Sequence, residues 1–277
     1  YRAAAWTNYN TSEAYIDWNY INVGYYWDGS GSAIDSYNQQ TFTHEILHGM
    51  GLYHLGNYNG GYMTQSRWNS DVEFSNDSWQ TSIMSYVDQS NNSSFGGTLN
   101  ADKAYIQTPM VADWIALDDM YASQGYGISN AFRGDTIYGF NTNISENVCN
   151  IWNKFSSNAA RCAYTIVDGA GNDTLDVSGF SNNQKIDLRP TTKNNKSPFS
   201  SNIAGLIGNL TIAPGTYLES AISGSGNDEI IGNDRGNNLQ GEAGNDTITG
   251  GSGNDTLDGG RGTDTAIFKN SFGDYSF

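Results

Sequence analysis

The sequence predicts two regions of different fold class: an α+β region over residues 1–125 and an all-β region over residues 126–277. The first prediction depends on histidines that cluster along one helix-like segment, and the second on a nine-residue repeat that is clearest over residues 222–268. A chain of 277 residues is long enough for two ordinary domains, each with its own buried core.

All three histidines of the chain lie within eleven positions. His44 and His48 are four residues apart, so on a helix both imidazoles can point at one position in space. The chain must then turn to bring in a third ligand, and Gly51 can take the positive φ that such a turn needs before His54. Three imidazoles with an open fourth position suit catalysis by zinc, so we predict one catalytic zinc ion on His44, His48 and His54.

Glu45 is the natural general base beside this site because it follows the first histidine directly. The alternative is that the histidines are ordinary core or surface residues of an amphipathic helix. Their concentration in one short stretch disfavours that alternative, since structural histidines would be scattered.

The charge balance limits the partners of the chain. It has 13 basic and 29 acidic residues, a net charge of -16, which disfavours binding to nucleic acid or to an anionic membrane surface. No apolar run has the length of a membrane span, and the chain does not open with a signal segment. We therefore expect a mature, soluble protein whose acidic groups bind cations.

The two cysteines, Cys149 and Cys162, have two interpretations. We favour a disulfide that closes a short loop in an oxidising compartment, and the alternative is two unrelated buried thiols.

Other elements of the first region are predicted from composition. The stretches 14–18 and 23–27 are strand-like, either as the sheet edge that receives an extended peptide or as ordinary core strands. The polar stretch 57–76 shows no clear period. A second helix is predicted over 108–121, with Thr108 as N-cap and Pro109 in its first turn, and the glycine-bearing stretch 124–129 as domain boundary.

The second region contains a strict period of nine residues. The polar residues at this spacing are Asp228, Asn237, Asp246, Asp255 and Asp264. An apolar position follows two residues after each, at Ile230, Leu239, Ile248, Leu257 and Ala266. This is the GGxGxDxUx nonapeptide, which predicts short strands wound into a parallel β-roll with the apolar positions inside. A flexible linker would have neither the period nor the apolar residue.

Aspartates stacked one coil apart would repel one another unless a hard cation lay between them, so we predict several structural calcium ions. The expected pairs are Asp228 with Asp246, Asp246 with Asp264, and Asn237 with Asp255, the last being the weakest. The residues expected at calcium sites are Gly224, Gly226, Asp228, Gly241, Gly244, Asp246, Gly250, Gly251, Gly253, Asp255, Gly259, Gly260, Gly262 and Asp264. Asp173 joins them from an earlier single copy of the repeat, and another copy at 134–137 places the start of the roll near residue 130.

The motif HEILHGMGLYH, followed by SIMSY at residues 82–86, resembles the metzincin zinc peptidases and, among them, the serralysin family. The resemblance implies a metzincin-like zinc protease domain that is short at its N-terminus, followed by a β-roll (RTX) domain. It also implies that Met84 lies in a turn beneath the zinc ligands and that Tyr86 reaches the metal. From the residues alone, a buried methionine and a packed tyrosine are the default interpretation.

The sequence departs from this family in three places. Only 43 residues precede His44, whereas the family has a much longer segment there, and the chain stops soon after the last repeat. We expect either trimming by processing or a naturally reduced domain. Leu55 and Asn57 stand in HLGNYN where the family commonly reads HPGDYN.

The expected function is that of a secreted, extracellular bacterial zinc endopeptidase acting on protein or peptide substrates. Glu45 takes the proton of the attacking water, and the resemblance implies that Tyr86 hydrogen-bonds the developing oxyanion. A protein inhibitor and a separate N-terminal segment stay open as further partners. The alternatives are a calcium-dependent binding or adhesion module with a weak zinc domain, and a zinc hydrolase that acts on other substrates.

Overall fold

The computed structural model describes residues 4–10, 15–22 and 37–268. The helices are α1 (Tyr37–Gly49), α2 (Gln65–Asp71), α3 (Gln89–Ser94), α4 (Val111–Tyr121), α5 (Asn150–Asn153) and α6 (Phe155–Asn158), with 3₁₀ turns at Ala122–Gln124 and Ile128–Asn130. The strands are β1 (Ala4–Asn10), β2 (Tyr15–Asn22), β3 (Tyr105–Ile106), β4 (Ile137–Gly139), β5 (Cys162–Ile166), β6 (Thr174–Asp176), β7 (Lys185–Asp187), β8 (Ser200–Ser201), β9 (Leu210–Ile212), β10 (Ser220–Ile222), β11 (Glu229–Ile231), β12 (Asn238–Gln240), β13 (Thr247–Thr249), β14 (Thr256–Asp258) and β15 (Thr265–Ile267).

Strands β1 and β2 pair antiparallel and lie next to helix α1. The predicted strand over 14–18 falls largely within β2, whereas β1 was not predicted. The predicted strand over 23–27 lies outside the described residues. The expected use of this sheet edge for a peptide stays a prediction.

The second helix begins later than predicted, and its predicted cap is wrong. Helix α4 starts at Val111, and the Asp113 carboxylate accepts the backbone N–H of Met110, the residue before the helix, at 2.8 Å. The Thr108 hydroxyl instead accepts the backbone N–H of Thr165 in strand β5 at 2.7 Å. The side chain that the local sequence predicts to cap the helix is therefore used in a long-range contact instead.

Two short helices also fall where sequence periodicity gave no signal. The polar stretch 57–76 contains α2, whose first turn is capped by Thr64, and α3 begins after Asp88, whose carboxylate accepts the backbone N–H of Asn91 at 2.9 Å. Capping side chains, rather than an apolar face, mark these helices.

The repeat region forms two parallel sheets of short strands, in the orders β14-β12-β10-β6-β4 and β15-β13-β11-β7. Strands 18 residues apart are in register, with Ile230 opposite Ile248. The predicted inward positions Ile230, Leu239 and Ile248 are buried in one core that both sheets share. Leu257 is only partly buried and Ala266 is exposed, because β14 and β15 are the last described strands of their sheets.

Strand pairing crosses the predicted boundary between the two regions. Strand β3 pairs with β5 in a sheet of order β3-β5-β9-β8, and the Gln80 side-chain amide donates to the carbonyl of Gly208 at 3.0 Å. The region that contains the three histidines and the region predicted to be all-β are therefore joined by a common sheet.

The expected disulfide is wrong, because the structure keeps Cys149 and Cys162 as two thiols. Cys162 begins the fully buried strand β5, and Cys149 packs against the same core, so both act as small apolar side chains. Among the described residues, no helix has both the length and the apolar character needed to cross a membrane.

Candidate metal centre

The three histidines converge on one point. His44 and His48 lie one turn apart on α1, and Gly51 adopts a φ of 98° after the helix, so that the chain reverses to bring His54 against them. The Nε2 atom of His54 lies 3.2 Å from Nε2 of His44 and 3.0 Å from Nε2 of His48. The predicted convergence of three imidazoles is present, and these three residues could hold a metal ion.

Each imidazole is oriented by a backbone carbonyl. Nδ1 of His44 lies 2.8 Å from the carbonyl oxygen of Ile83, Nδ1 of His48 lies 2.7 Å from that of Leu52, and Nδ1 of His54 lies 2.9 Å from that of Tyr58. A carbonyl oxygen can only accept, so each Nδ1 carries the hydrogen. The three Nε2 atoms therefore face one another with their lone pairs, an arrangement that is repulsive until a cation lies among them.

Burial keeps these rings neutral. It lowers the pKa of His44 to about 3 and that of His54 to about 4, and it lowers the pKa of His48 as well. A neutral imidazole is the form that binds a metal ion. At neutral pH the site is therefore ready for a cation without the loss of a proton.

The turn that contains Met84 is attached to the first histidine. The backbone carbonyl of Ile83 accepts from Nδ1 of His44, and the backbone N–H of Ile83 donates to the Asp113 carboxylate at 2.8 Å. The Ser82 hydroxyl donates to the other oxygen of Asp113 at 2.5 Å. Met84 is buried in the core with Leu47 of α1, so the turn is held from both sides.

A second buried carboxylate stands behind the third histidine. The Tyr58 hydroxyl donates to Asp77 at 2.9 Å, and the Ser85 hydroxyl donates to the same carboxylate at 2.5 Å. Tyr58 supplies the carbonyl that orients His54, and its ring stacks on that of Tyr86 with centroids 5.0 Å apart. Asp77 therefore supports both the third histidine and the segment that leads into Tyr86.

The two predicted catalytic side chains lie beside the histidines. The ring of Tyr86 packs against that of His54 with centroids 4.6 Å apart. Burial raises the pKa of Glu45. Burial is also the main cause that raises the pKa of Tyr86, and the charge of Glu45 adds to it, so the two groups interact. A glutamate with a raised pKa suits proton transfer near neutral pH.

In the roll, the carboxylates stack one coil apart, and each accepts a backbone N–H from the coil beneath. Oδ1 of Asp246 accepts the backbone N–H of Asp228 at 2.8 Å, and Oδ1 of Asp264 accepts that of Asp246 at 3.0 Å. Oδ1 of Asp255 likewise accepts the N–H of Asn237 at 2.9 Å. Backbone donors therefore occupy one oxygen of each carboxylate.

The second oxygen is the one that stays available. Within the described part of the chain, Oδ2 of Asp246 and Oδ2 of Asp173 are buried without a hydrogen-bond partner. A side chain at Gly241, Gly250 or Gly259 would collide with the carboxylate five residues later. These glycines keep the space around the second oxygens clear.

Several residues of these sites were not predicted. Glu219 continues the nine-residue spacing one step before Asp228, and its carboxylate accepts the backbone N–H of Asp173 at 2.9 Å, so an extended count of the period would have found it. Asp77 and Asp113 have no motif around them. Only their burial among backbone donors and hydroxyl groups identifies them.

The comparisons with known proteins agree with this architecture. Short parallel strands in two sheets that share one core fit the β-roll class of folds. Residues 129–274 match the family model Peptidase M10 serralysin C terminal, and the chain belongs to this family.

The relatives are named as a metallopeptidase and as serralysins. The chain is 40% identical over 221 residues to Metallopeptidase AprA of Pseudomonas marginalis, a match that covers 79% of this chain and 42% of the relative. It is 38% identical over 209 residues to a Serralysin of Photorhabdus luminescens, covering 75% of this chain and 38% of the relative. It is 37% identical over 228 residues to Serralysin C of Dickeya chrysanthemi, covering 82% and 40%. The chain thus spans about two fifths of the length of these relatives.

Proposed function

We propose that this chain is a zinc-dependent endopeptidase whose C-terminal roll is ordered by calcium. The observation that carries the proposal is the set of three neutral imidazoles in which Nε2 of His54 lies 3.0 Å and 3.2 Å from the other two Nε2 atoms and a carbonyl holds every Nδ1. Ligands of a tetrahedral zinc ion lie about 3.3 Å apart, so the spacing suits zinc with little movement. The relatives' names support a peptidase.

When bound, zinc supplies Lewis acidity, which activates water and polarises a carbonyl group. Glu45 would take the proton of the attacking water, since it follows His44 on the same helix and its raised pKa suits both uptake and release. It would then deliver that proton to the leaving amine.

Tyr86 would act on the oxygen that becomes charged. Its pKa is raised, so the hydroxyl keeps its proton at neutral pH and can donate a hydrogen bond to the developing oxyanion. Its ring packs against those of both His54 and Tyr58, which limits where the hydroxyl can point. Met84 and Asp113 would hold the turn that leads to it.

The substrate we propose is an extended protein or peptide segment. Strands β1 and β2 lie next to α1, the helix that carries His44 and His48, and we propose that this sheet offers backbone groups for pairing with a substrate. Secretion into an extracellular, calcium-rich medium would suit such an enzyme. A protein inhibitor and a separate N-terminal segment remain proposed partners.

The carboxylates of the roll fit calcium. Asp246 and Asp173 each offer a buried oxygen with no partner among the described residues, and burial raises the pKa of both carboxylates. For Asp246, repulsion from Asp228 and Asp264 adds to the rise. A hard cation with flexible coordination would satisfy these oxygens and remove the repulsion.

The test is casein cleavage by this chain in millimolar calcium, with zinc content measured on the same sample and Glu45→Ala as the blank. Cleavage with about one zinc per chain, absent in the variant, is the expected result. Zinc without cleavage would contradict the peptidase proposal and favour a calcium-dependent binding module.

A further inference from the structure

The stacked repeats differ in their contacts with the part of the roll that precedes them in the stack, which we call the layer beneath. We call residues 223–240 the first coil and residues 241–258 the second coil. Each contains two repeats and two strands, β11 and β12 in the first coil and β13 and β14 in the second. The second coil has aspartate at both stacking positions, Asp246 and Asp255, whereas the first has Asp228 and Asn237.

At one turn of the first coil, side-chain amides contact the carbonyls of the layer beneath. The Asn237 amide group donates to the carbonyl of Leu218 at 3.1 Å and to that of Glu219 at 3.4 Å. The Asn233 amide group donates to the same Leu218 carbonyl at 2.9 Å. Oδ1 of Asn237 accepts the backbone N–H of Asn233 at 2.8 Å, so every polar atom of the Asn237 side chain has a partner.

A positive charge accompanies these amides. The Arg235 guanidinium lies over the Tyr217 ring at 3.6 Å, and its Nη1 lies 3.7 Å from Oε1 of Glu219. Arg235 and Asn233 stand where the repeat motif has glycine. One amide donor and the cationic group are thus supplied by side chains at positions where the motif has glycine.

At the other turn of the first coil, backbone groups satisfy the carboxylate. Oδ1 of Asp228 accepts the N–H of Gln184 at 2.7 Å, and Oδ2 accepts the N–H of Gly224 at 3.1 Å. The residue beneath Asp228 is the neutral Gln184, so no carboxylate lies beneath it, although Oε1 of Gln184 is buried without a partner in the described chain. Asp246 in the second coil differs on both counts, because it stacks on Asp228 and its Oδ2 has no partner in the described chain.

At the Asn237 turn the first coil therefore does not fit calcium at its contact with the layer beneath, and at the Asp228 turn backbone N–H groups occupy both carboxylate oxygens. A cation between Glu219 and Asn237 would meet amide hydrogens aimed at the carbonyls that calcium would need. We infer that the first coil is joined to the layer beneath it by its own amide and backbone donors in place of calcium, and that, of the two coils, only the second, from Gly241 onward, depends on calcium for its order. This inference rests on the calcium-ordered roll proposed above.

The burial of the apolar positions agrees with this division. Ile230 and Leu239 of the first coil are completely buried, so the first coil has an apolar core to hold it. In the second coil Ile248 is buried, but Leu257 is only partly buried. The second coil has less apolar burial and more stacked charge, so it depends more on a cation.

Amide hydrogen exchange on the full chain, with and without EGTA, tests the inference. We expect β13 and β14 to lose protection on calcium removal while β11 and β12 keep it. Loss of protection in all four strands would overturn the inference but leave calcium ordering intact. Unchanged protection in all four strands would overturn calcium ordering itself, and the inference with it.

Asn237→Asp tests the residue directly. The variant replaces the amide donor with a carboxylate that faces two carbonyls, so β12 should become calcium-dependent and the chain should bind about one more calcium ion. Asn254→Asp is the matched control, because Asn254 is exposed and the substitution adds the same charge outside the stack. If the protection of β12 without calcium is the same in Asn237→Asp as in the unaltered chain, the role of Asn237 is wrong.

Discussion

The histidine centre holds three imidazoles close together, and the second coil of the roll holds carboxylates close to those of its neighbours. The two regions support these groups in opposite ways. Around the histidines, buried carboxylates and backbone carbonyls fix every ring, and Leu47, Met84 and Met110 pack beneath them. In the second coil, Asp246 keeps an oxygen without a partner among the described residues. The histidine centre is organised without a metal ion, whereas we propose that the second coil needs a cation to be organised.

The largest effect expected is that of Glu45→Ala on peptidase activity. The variant should lose activity by about 10²- to 10⁴-fold, the usual contribution of a general base, and should keep its zinc. Casein turnover and zinc content on one sample measure both. Appreciable turnover by the variant would contradict the role of Glu45, and loss of zinc would show that Glu45 also supports the ligands.

The second prediction compares two apolar positions of the roll. Ile230→Ala should lower the free energy of unfolding by about 3 kcal/mol, because it leaves a cavity in a closed core. Leu257→Ala should cost about 1 kcal/mol, since its side chain is only partly buried. Urea unfolding in saturating calcium provides both values. Equal losses would mean that the second coil is as well packed as the first.

The third prediction concerns the buried carboxylate behind His54. In Asp77→Asn, the negative charge is lost and one oxygen becomes an NH₂ group that cannot accept, so the hydrogen bonds from the hydroxyls of Tyr58 and Ser85 weaken. Zinc affinity should fall roughly tenfold, as for other residues that orient a ligand. Competition with a zinc chelator measures it, and Asp119→Asn at an exposed position is the control. An unchanged affinity would show that Tyr58 keeps its position without Asp77.

The smallest effect expected is that of zinc removal on the fold. Treatment with 1,10-phenanthroline should leave the far-ultraviolet circular dichroism unchanged, because the helices around the site are held by the core and by carbonyl contacts. EGTA should reduce the signal of the roll in the same assay. A loss of helix signal without zinc would break the comparison between the two regions.

Two wrong assignments, a helix cap and a disulfide, show where prediction from local sequence failed. Thr108 fits a helix N-cap by sequence, but its hydroxyl accepts from strand β5, 57 residues further on. Cys149 and Cys162 fit a disulfide by spacing, but both pack as thiols against the roll core. In each case the local sequence allows more than one partner for the side chain, and a contact between distant segments decides which partner it has.

The sequence alone determined the features that depend on short-range periodicity. The spacing of His44, His48 and His54 predicts their convergence, and the nine-residue period predicts parallel strands 18 residues apart. Only the tertiary structure decided which groups orient the rings and which carboxylates lack a partner. Those outcomes depend on segments far apart in the chain, such as Ile83 behind His44, and on whether the layer beneath a carboxylate presents a backbone N–H, an amide or another carboxylate.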